Sequence, residues 1–131
     1  MRVILALAAL GLAVAAPASA QNSPALTVSQ FLERWNGVNA LPDQASKEAE
    51  AALLARVLGG TLERYQGLLR SDEAGGKPPR ACPKKESEDR FDFTDLVAHL
   101  EALPAPWHLR SLDDGVFDFL DKRYPCAAAS G

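Results

Sequence analysis

The stretch that decides the fold is residues 111–126, which read SLDDGVFDFLDKRYPC. Ser111 precedes the apolar residues as a helix N-cap, and Pro125 stops the helix. The residues predicted to face the core recur at helical spacing; they are Leu112, Val116, Phe119, Leu120 and Tyr124, helped by Phe117. The acidic residues at its start and the basic residues at its end also suit the helix dipole. The stretch therefore predicts an amphipathic helix that ends beside a cysteine.

The opposite end of the chain, residues 1–20, has the pattern of a secretory signal peptide. A basic start is followed by an unbroken apolar run from Val3 to Ala16, and Ala18-Ser19-Ala20 fits the small-x-small cleavage pattern. The run is shorter than the ~20 apolar residues that span a membrane. We therefore expect cleavage, a periplasmic or secreted protein without a membrane anchor, and a single domain over 21–131.

The chain contains two cysteines, Cys82 and Cys126. Paired cysteines in an exported chain form a disulfide in an oxidising compartment, so we predict that these two are bonded. The alternative is a reactive thiol at Cys82, because the neighbouring Lys84 and Lys85 would lower its pKa.

Three further segments carry helix signals. Thr27, with Gln30 three residues on, forms a capping box for a helix over about 28–38. Residues 44–69 predict a long helix with a broad apolar stripe; its members are Ala49, Leu53, Leu54, Val57, Leu58, Leu62, Tyr65, Leu68 and Leu69. Gly59-Gly60 interrupts this pattern, so either the helix kinks or breaks there or a neighbouring helix packs closely.

The third segment is 93–103, capped by Asp92 and followed by prolines. Between it and the long helix, residues 71–90 lack any aliphatic side chain larger than alanine and predict a long loop. No segment has a convincing strand pattern. The expected fold is all-α: a small helical bundle of four to five helices with one disulfide.

Composition and motifs limit the function. Without the signal segment the chain keeps 13 of its 14 basic residues against 17 acidic ones, which argues against binding to nucleic acid. Hydrolase, metalloprotease, P-loop and dinucleotide motifs are absent from the sequence, so we expect a protein that is not an enzyme and needs no cofactor. Asp95 and His99 suggest either a metal or acid–base pair, or an ordinary solvated helix face.

A binding protein needs a contact surface, and the candidate contacts are Trp107, Lys84, Lys85, Asp114 and Asp118. Asp114, Asp118 and Asp121 form an acidic strip on the last helix, either a dock for a basic partner or a solvent face with an Asp118–Lys122 pair. Trp107, in a proline-rich corner, either anchors a partner or covers the core. The two lysines are either a contact or solvated charges.

Several landmarks together resemble the Rap/Tai family of small exported immunity proteins, which protect against peptidoglycan-cutting amidase effectors of type VI secretion. They are the signal peptide, Ala81-Cys82-Pro83, the helix ending at Ala102-Leu103-Pro104, and the last helix ending at Arg123-Tyr124-Pro125-Cys126. The resemblance is strongest over about 80–126.

The resemblance implies a small, all-helical, disulfide-bonded protein, often a homodimer, that occludes the active cleft of an amidase. It assigns Cys82 and Cys126 a structural role. A second hypothesis is an envelope interaction or structural protein with another partner on the same fold. A third is a thiol enzyme, which would require a free cysteine.

Overall fold

The computed structural model describes residues 25–83 and 92–126, and within them the chain forms five α-helices. The helices are α1 (Val28–Gly37), α2 (Gln44–Ala74), α3 (Phe93–Ala102), α4 (Ala105–His108) and α5 (Leu112–Arg123), with a 3₁₀ turn at Val38–Ala40. The predicted all-α bundle with one disulfide is confirmed. The predicted signal peptide over 1–20 and the Lys84-Lys85 pair lie outside the described residues.

Side-chain caps fix where the helices begin. The Thr27 hydroxyl accepts a hydrogen bond from the Gln30 amide, and the Gln30 side chain accepts one from the Thr27 amide, so the predicted capping box is confirmed. Asp92 accepts from the Thr94 amide at the start of α3, and Ser111 accepts in the same way at the start of α5. These contacts satisfy amides that have no partner within the helix.

The core lies between α1, α2, α3 and α5. Its buried side chains include Val28, Phe31, Leu32, Leu96, Val97, Leu100, Leu112, Val116, Phe119, Leu120 and Tyr124. The five residues predicted to form the core face of α5 are all buried. Burial of these apolar side chains is the main favourable contribution to the free energy of folding.

Gly115 lets α5 approach its neighbours. A Cβ atom built on this residue would lie 2.8 Å from Leu100 Cδ2 and 2.9 Å from Val28 Cγ2. Both neighbours are fully buried, so neither has free space into which it can retreat. The missing side chain therefore sets how closely α5 packs against α1 and α3.

Helix α2 packs along a narrower face than the sequence predicted. Its buried residues are Leu54, Leu58, Thr61 and Tyr65. Leu53 and Leu68, which the predicted stripe included, each keep 39% of their surface exposed. At 1.5 Å per residue this 31-residue helix is about 46 Å long, so its ends reach beyond the small core.

Gly59-Gly60 does not interrupt α2, which is helical through both residues. Apart from the adjoining residues and the backbone of α2 itself, no atom of the described residues lies within 4 Å of a Cβ built on Gly59, and the nearest such atom to one on Gly60 belongs to the Arg64 side chain of the same helix. The predicted break and the predicted close approach of a neighbouring helix are therefore both wrong. The packed residues on either side of the pair hold the helix together despite the low helix propensity of glycine.

The predicted loop starts later than expected, because α2 continues to Ala74. Gly76 has φ +68°, the Gly76 amide donates to the Glu73 carbonyl, and the Lys77 amide donates to the Asp72 carbonyl. These are the two bonds of a Schellman C-cap, in which glycine takes the left-handed conformation. The sequence predicts that Gly75-Gly76 belongs to the loop, but in the structure these two glycines end helix α2. Residues 84–90 of the predicted loop lie outside the described residues.

After this cap the chain runs to the Cys82–Cys126 disulfide, which joins it to the end of α5. We refer to residues 79–82 as the strap. Ala81 is 2% exposed, and the Cys82 amide donates to the Tyr124 carbonyl at 2.8 Å. The disulfide excludes a free thiol at either position in this structure, and it is compatible with an oxidising compartment. Among the described residues, no helix has the length and apolar character needed to cross a membrane.

Candidate functional site

The acidic residues of α5 lie at the centre of the polar contacts. Asp113, Asp114, Asp118 and Asp121 each form an ion pair with a basic residue from a neighbouring segment or the same helix. The partners are Arg64 of α2, Arg110 before α5, His99 of α3 together with Lys122 of α5, and Arg80 of the strap. The polar side of α5 therefore connects segments of the fold.

The pair between α2 and α5 includes a buried hydroxyl. Arg64 donates to both oxygens of Asp113, at 2.6 and 2.8 Å, and Thr61 donates to the same carboxylate at 2.8 Å. Thr61 is fully buried. The Arg64 hydrogen bonds hold the pKa of Asp113 below its ordinary value, although burial acts in the opposite direction.

The predicted acidic strip is not a freely solvated face at Asp118 and Asp121, whose side chains are 19% and 27% exposed and contact other segments. His99 Nε2 lies 2.9 Å from Asp118 Oδ2, and only 19% of the Asp118 side chain is exposed. Burial would raise the pKa of Asp118, but hydrogen bonds from Lys122 and His99 outweigh it and the pKa lies below its ordinary value. The predicted Asp118–Lys122 pair is confirmed at 2.9 Å.

This arrangement also changes the interpretation of His99. The sequence predicts Asp95 beside it on one face of α3, but the His99 ring nitrogen Nε2 contacts Asp118 across the interface between α3 and α5. Its ring also lies 5.4 Å from that of Phe119, measured between centroids. In the described part of the chain, no three histidine, cysteine, aspartate or glutamate side chains converge as metal ligands.

A different surface, around the turn between α4 and α5, brings an exposed leucine together with tryptophan and arginine. We call Trp107, Leu109 and Arg110 the corner surface. Trp107 is half-buried, and the Arg110 guanidinium carbon lies 4.0 Å from its ring centroid. Leu109 is 79% exposed, the most exposed of the large hydrophobic residues in the described ranges. Tryptophan and arginine dominate the energetics of many interfaces, which suits this corner to binding.

The corner surface is held rigidly. The Trp107 amide donates to Pro104, the Arg110 amide donates to Trp107, and the Val28 amide donates to the Arg110 carbonyl at 3.0 Å. The Arg110 side chain also donates to Asp114 at 3.1 Å. Because hydrogen bonds fix the backbone on both sides of Leu109, binding to a partner would restrict few additional rotatable bonds and would cost little conformational entropy.

An open groove of about 450 Å³ lies between α1 and the start of α2. Leu26 lines the groove, and its carbonyl accepts a hydrogen bond from the Leu112 amide at the start of α5. Arg34 and Glu50 also line it and are joined by two hydrogen bonds of 2.6 and 2.9 Å. Those bonds hold the pKa of Glu50 below its ordinary value. The groove is therefore lined by the Arg34–Glu50 ion pair and by the apolar residue Leu26.

The structure thus places the contact residues predicted from the sequence in different parts of the fold. Trp107 lies in the corner surface, Asp114 pairs with Arg110 at its edge, and Asp118 lies in the contact between α3 and α5. Lys84 and Lys85 lie outside the described residues. Sequence reasoning missed Leu109 and Arg110; the signal available was an aliphatic residue placed outside any helical stripe, two residues before the Ser111 cap.

Comparison of the chain with family models, with curated proteins and with solved structures finds no match.

Proposed function

We propose that this protein is an exported, non-enzymatic binding protein of the immunity type, which neutralises a peptidoglycan amidase effector by docking on it. The resemblance of residues 80–126 to the Rap/Tai family supports the class of partner. The Cys82–Cys126 disulfide supports an oxidising location, for which we propose the periplasm or the cell exterior.

The observation that carries the binding role is the exposure of Leu109. A large aliphatic side chain that keeps 79% of its surface in water, on a rigid backbone beside tryptophan and arginine, gains free energy when a partner covers it. The corner surface would insert Leu109 into the partner, and the Arg110–Trp107 stack would pack beside it.

The acidic face of α5 is a poorer candidate. Its carboxylates already accept hydrogen bonds from Arg64, Arg80 and His99, so a basic partner would have to replace contacts that hold the bundle together. The corner surface requires no such exchange, because the Leu109 side chain is already exposed in the free protein.

The test uses the protein without its signal segment and a purified cysteine–histidine amidase encoded by a neighbouring gene. We expect the protein to inhibit hydrolysis of peptidoglycan at stoichiometric ratios. Leu109→Ala should weaken inhibition about tenfold, equivalent to about 1.4 kcal/mol of binding free energy. Leu53→Ala is the matched control, because Leu53 is also an exposed leucine but lies on α2.

The outcomes separate the parts of this proposal. Inhibition that is equally strong in Leu109→Ala and the wild type would mean that another surface binds. Failure of the wild type to bind or inhibit the amidase would remove the immunity role and favour the second hypothesis, an envelope protein with another partner. Circular dichroism of each variant establishes that the bundle is intact.

A further inference from the structure

The strap is attached to the bundle by more than its disulfide. Arg80 Nη2 donates to Asp121 Oδ2 at 2.7 Å, and Arg80 Nε lies 3.0 and 3.1 Å from the two carboxylate oxygens. The guanidinium carbon also lies 5.8 Å from the Tyr65 ring centroid and 5.6 Å from that of Phe117. A planar, bidentate ion pair beside two aromatic rings requires one orientation of Arg80.

Asp121 is itself held in place. The Tyr65 hydroxyl donates to Asp121 Oδ1 at 2.7 Å, and burial together with this bond raises the pKa of Tyr65 above its ordinary value. The carboxylate that receives Arg80 is therefore fixed by α2 as well as by α5.

The backbone next to Arg80 has its own contacts. Ala81 is 2% exposed, and the Cys82 amide donates to the Tyr124 carbonyl at 2.8 Å. The Cys126 sulfur lies 3.7 Å from the Pro79 carbonyl oxygen. Apart from the covalent bond, the strap is thus held by an ion pair, a buried side chain and a backbone hydrogen bond.

We infer that Arg80 is a positioning residue that docks the strap independently of the disulfide and presents Cys82 to Cys126 before the bond forms. With the strap docked, the two cysteine Cα atoms are held near the 4.8 Å separation of the bonded pair. This inference goes beyond the proposed binding role and does not depend on it.

The oxidant that this step requires is a small disulfide such as glutathione disulfide. The thiolate of one cysteine attacks it, a mixed disulfide forms and one glutathione thiolate leaves. The second cysteine thiolate then attacks the protein sulfur of the mixed disulfide and displaces the second glutathione. The two cysteines lose two protons and two electrons, and the oxidant becomes two glutathione thiols. Docking favours the second attack, because both cysteines belong to the same ordered site.

The consequence is a chain that folds first and oxidises afterwards. An exported protein meets its oxidant only after it leaves the reducing cytosol. A docked strap would direct Cys82 to Cys126 instead of to a cysteine of another chain. It would also keep the bundle folded if the bond were later reduced.

The test is amide hydrogen exchange in a Cys82→Ser/Cys126→Ser variant, in which no disulfide can form. The amide of residue 82 should stay protected from exchange through its bond to the Tyr124 carbonyl. Adding Arg80→Ala should lower that protection about threefold to tenfold, the range expected for a well-formed, partly exposed ion pair.

Arg64→Ala in the same background is the matched control, because Arg64 also makes a bidentate pair with an aspartate of α5 but does not touch the strap. It should leave exchange at residue 82 within twofold of its parent. A residue 82 amide without protection, or protection that Arg80→Ala leaves unchanged, would overturn the inference. Circular dichroism of the wild type, kept reduced by a phosphine, and of the Cys82→Ser/Cys126→Ser variant provides a second measurement. Loss of the helical signal in both proteins would also overturn the inference.

Discussion

Replacing Gly115 with alanine tests whether the close approach of α5 defines the core. The added methyl would lie 2.8 Å from Leu100 Cδ2 and 2.9 Å from Val28 Cγ2. Contacts below 3.0 Å do not persist between carbon atoms, so α5 or its neighbours must move. Both neighbours are fully buried, and a third contact, to Leu103 Cδ1 at 3.6 Å, limits movement in that direction.

Two opposing effects decide the magnitude. Alanine is favoured over glycine inside a helix by roughly 0.5–1 kcal/mol. Inserting a methyl group into a well-packed core costs typically about 1–3 kcal/mol. The cost of overpacking is the larger over most of these ranges, so Gly115→Ala should lower the free energy of unfolding by about 1 kcal/mol and by at most about 2.5 kcal/mol.

Gly59→Ala is the matched control, since the same substitution there places a Cβ that meets no atom of the described residues within 4 Å beyond the adjoining residues and the backbone of its own helix. This variant should gain the higher helix propensity of alanine without a packing cost, which would raise the free energy of unfolding by up to about 1 kcal/mol. Both variants gain the helix propensity of alanine, so their stabilities differ by the packing cost of about 1–3 kcal/mol. At roughly 4 °C per kcal/mol for a domain of this size, their melting temperatures should differ by about 4–12 °C.

Thermal unfolding followed by circular dichroism at 222 nm measures both variants under the same conditions. The reasoning is refuted if Gly115→Ala melts at or above the temperature of the wild type, because the core would then have room for the methyl. Equal destabilisation by Gly59→Ala would also contradict it, since that site has no packing cost to explain a loss.

Three further predictions concern the covalent and polar contacts. Cys126→Ala should lower the free energy of unfolding by about 2–4 kcal/mol and free the Cys82 thiol for titration, whereas an unchanged melting temperature under oxidising conditions would exclude a stabilising disulfide. Thr61→Val should cost about 1 kcal/mol in urea unfolding, because it removes a buried hydroxyl that donates to Asp113; an unchanged midpoint would count against that bond. The lowered pKa values of Asp113 and Asp118 mean that these groups stabilise the protein fully above about pH 5 and lose that contribution as the pH falls through their folded values. Asp113→Asn should flatten part of this acid dependence of stability, and an identical pH profile would refute the assignment.

Helix starts and the core of α5 could be predicted from sequence because they depend on local rules. Ser111 and Asp92 cap helices through their own side chains, and the apolar spacing of residues 112–124 places one face inward whatever the neighbours are. The pairing of Cys82 with Cys126 could also be predicted, since the sequence has two cysteines.

For the stripe on α2 and for Asp121, where the predictions failed, the deciding contacts are long-range. The stripe on α2 is narrower than its apolar residues suggest because the small core contacts only part of a 31-residue helix. Asp121 was interpreted as part of an open strip because its partners, Arg80 and Tyr65, are 41 and 56 residues away in the chain. No local rule relates residues at such separations.

The sequence by itself determined that this chain is helical, where most of its helices begin, and which two sulfurs are joined. The tertiary structure alone decided that the aspartates of α5 face basic residues of other segments, that Gly115 is a point of contact between helices, and that Leu109 is left exposed at a rigid corner. The physical reason is the separation along the chain over which each kind of interaction acts. Caps and helical periodicity act over one or two turns, whereas ion pairs and packing depend on segments that meet only once the bundle has formed.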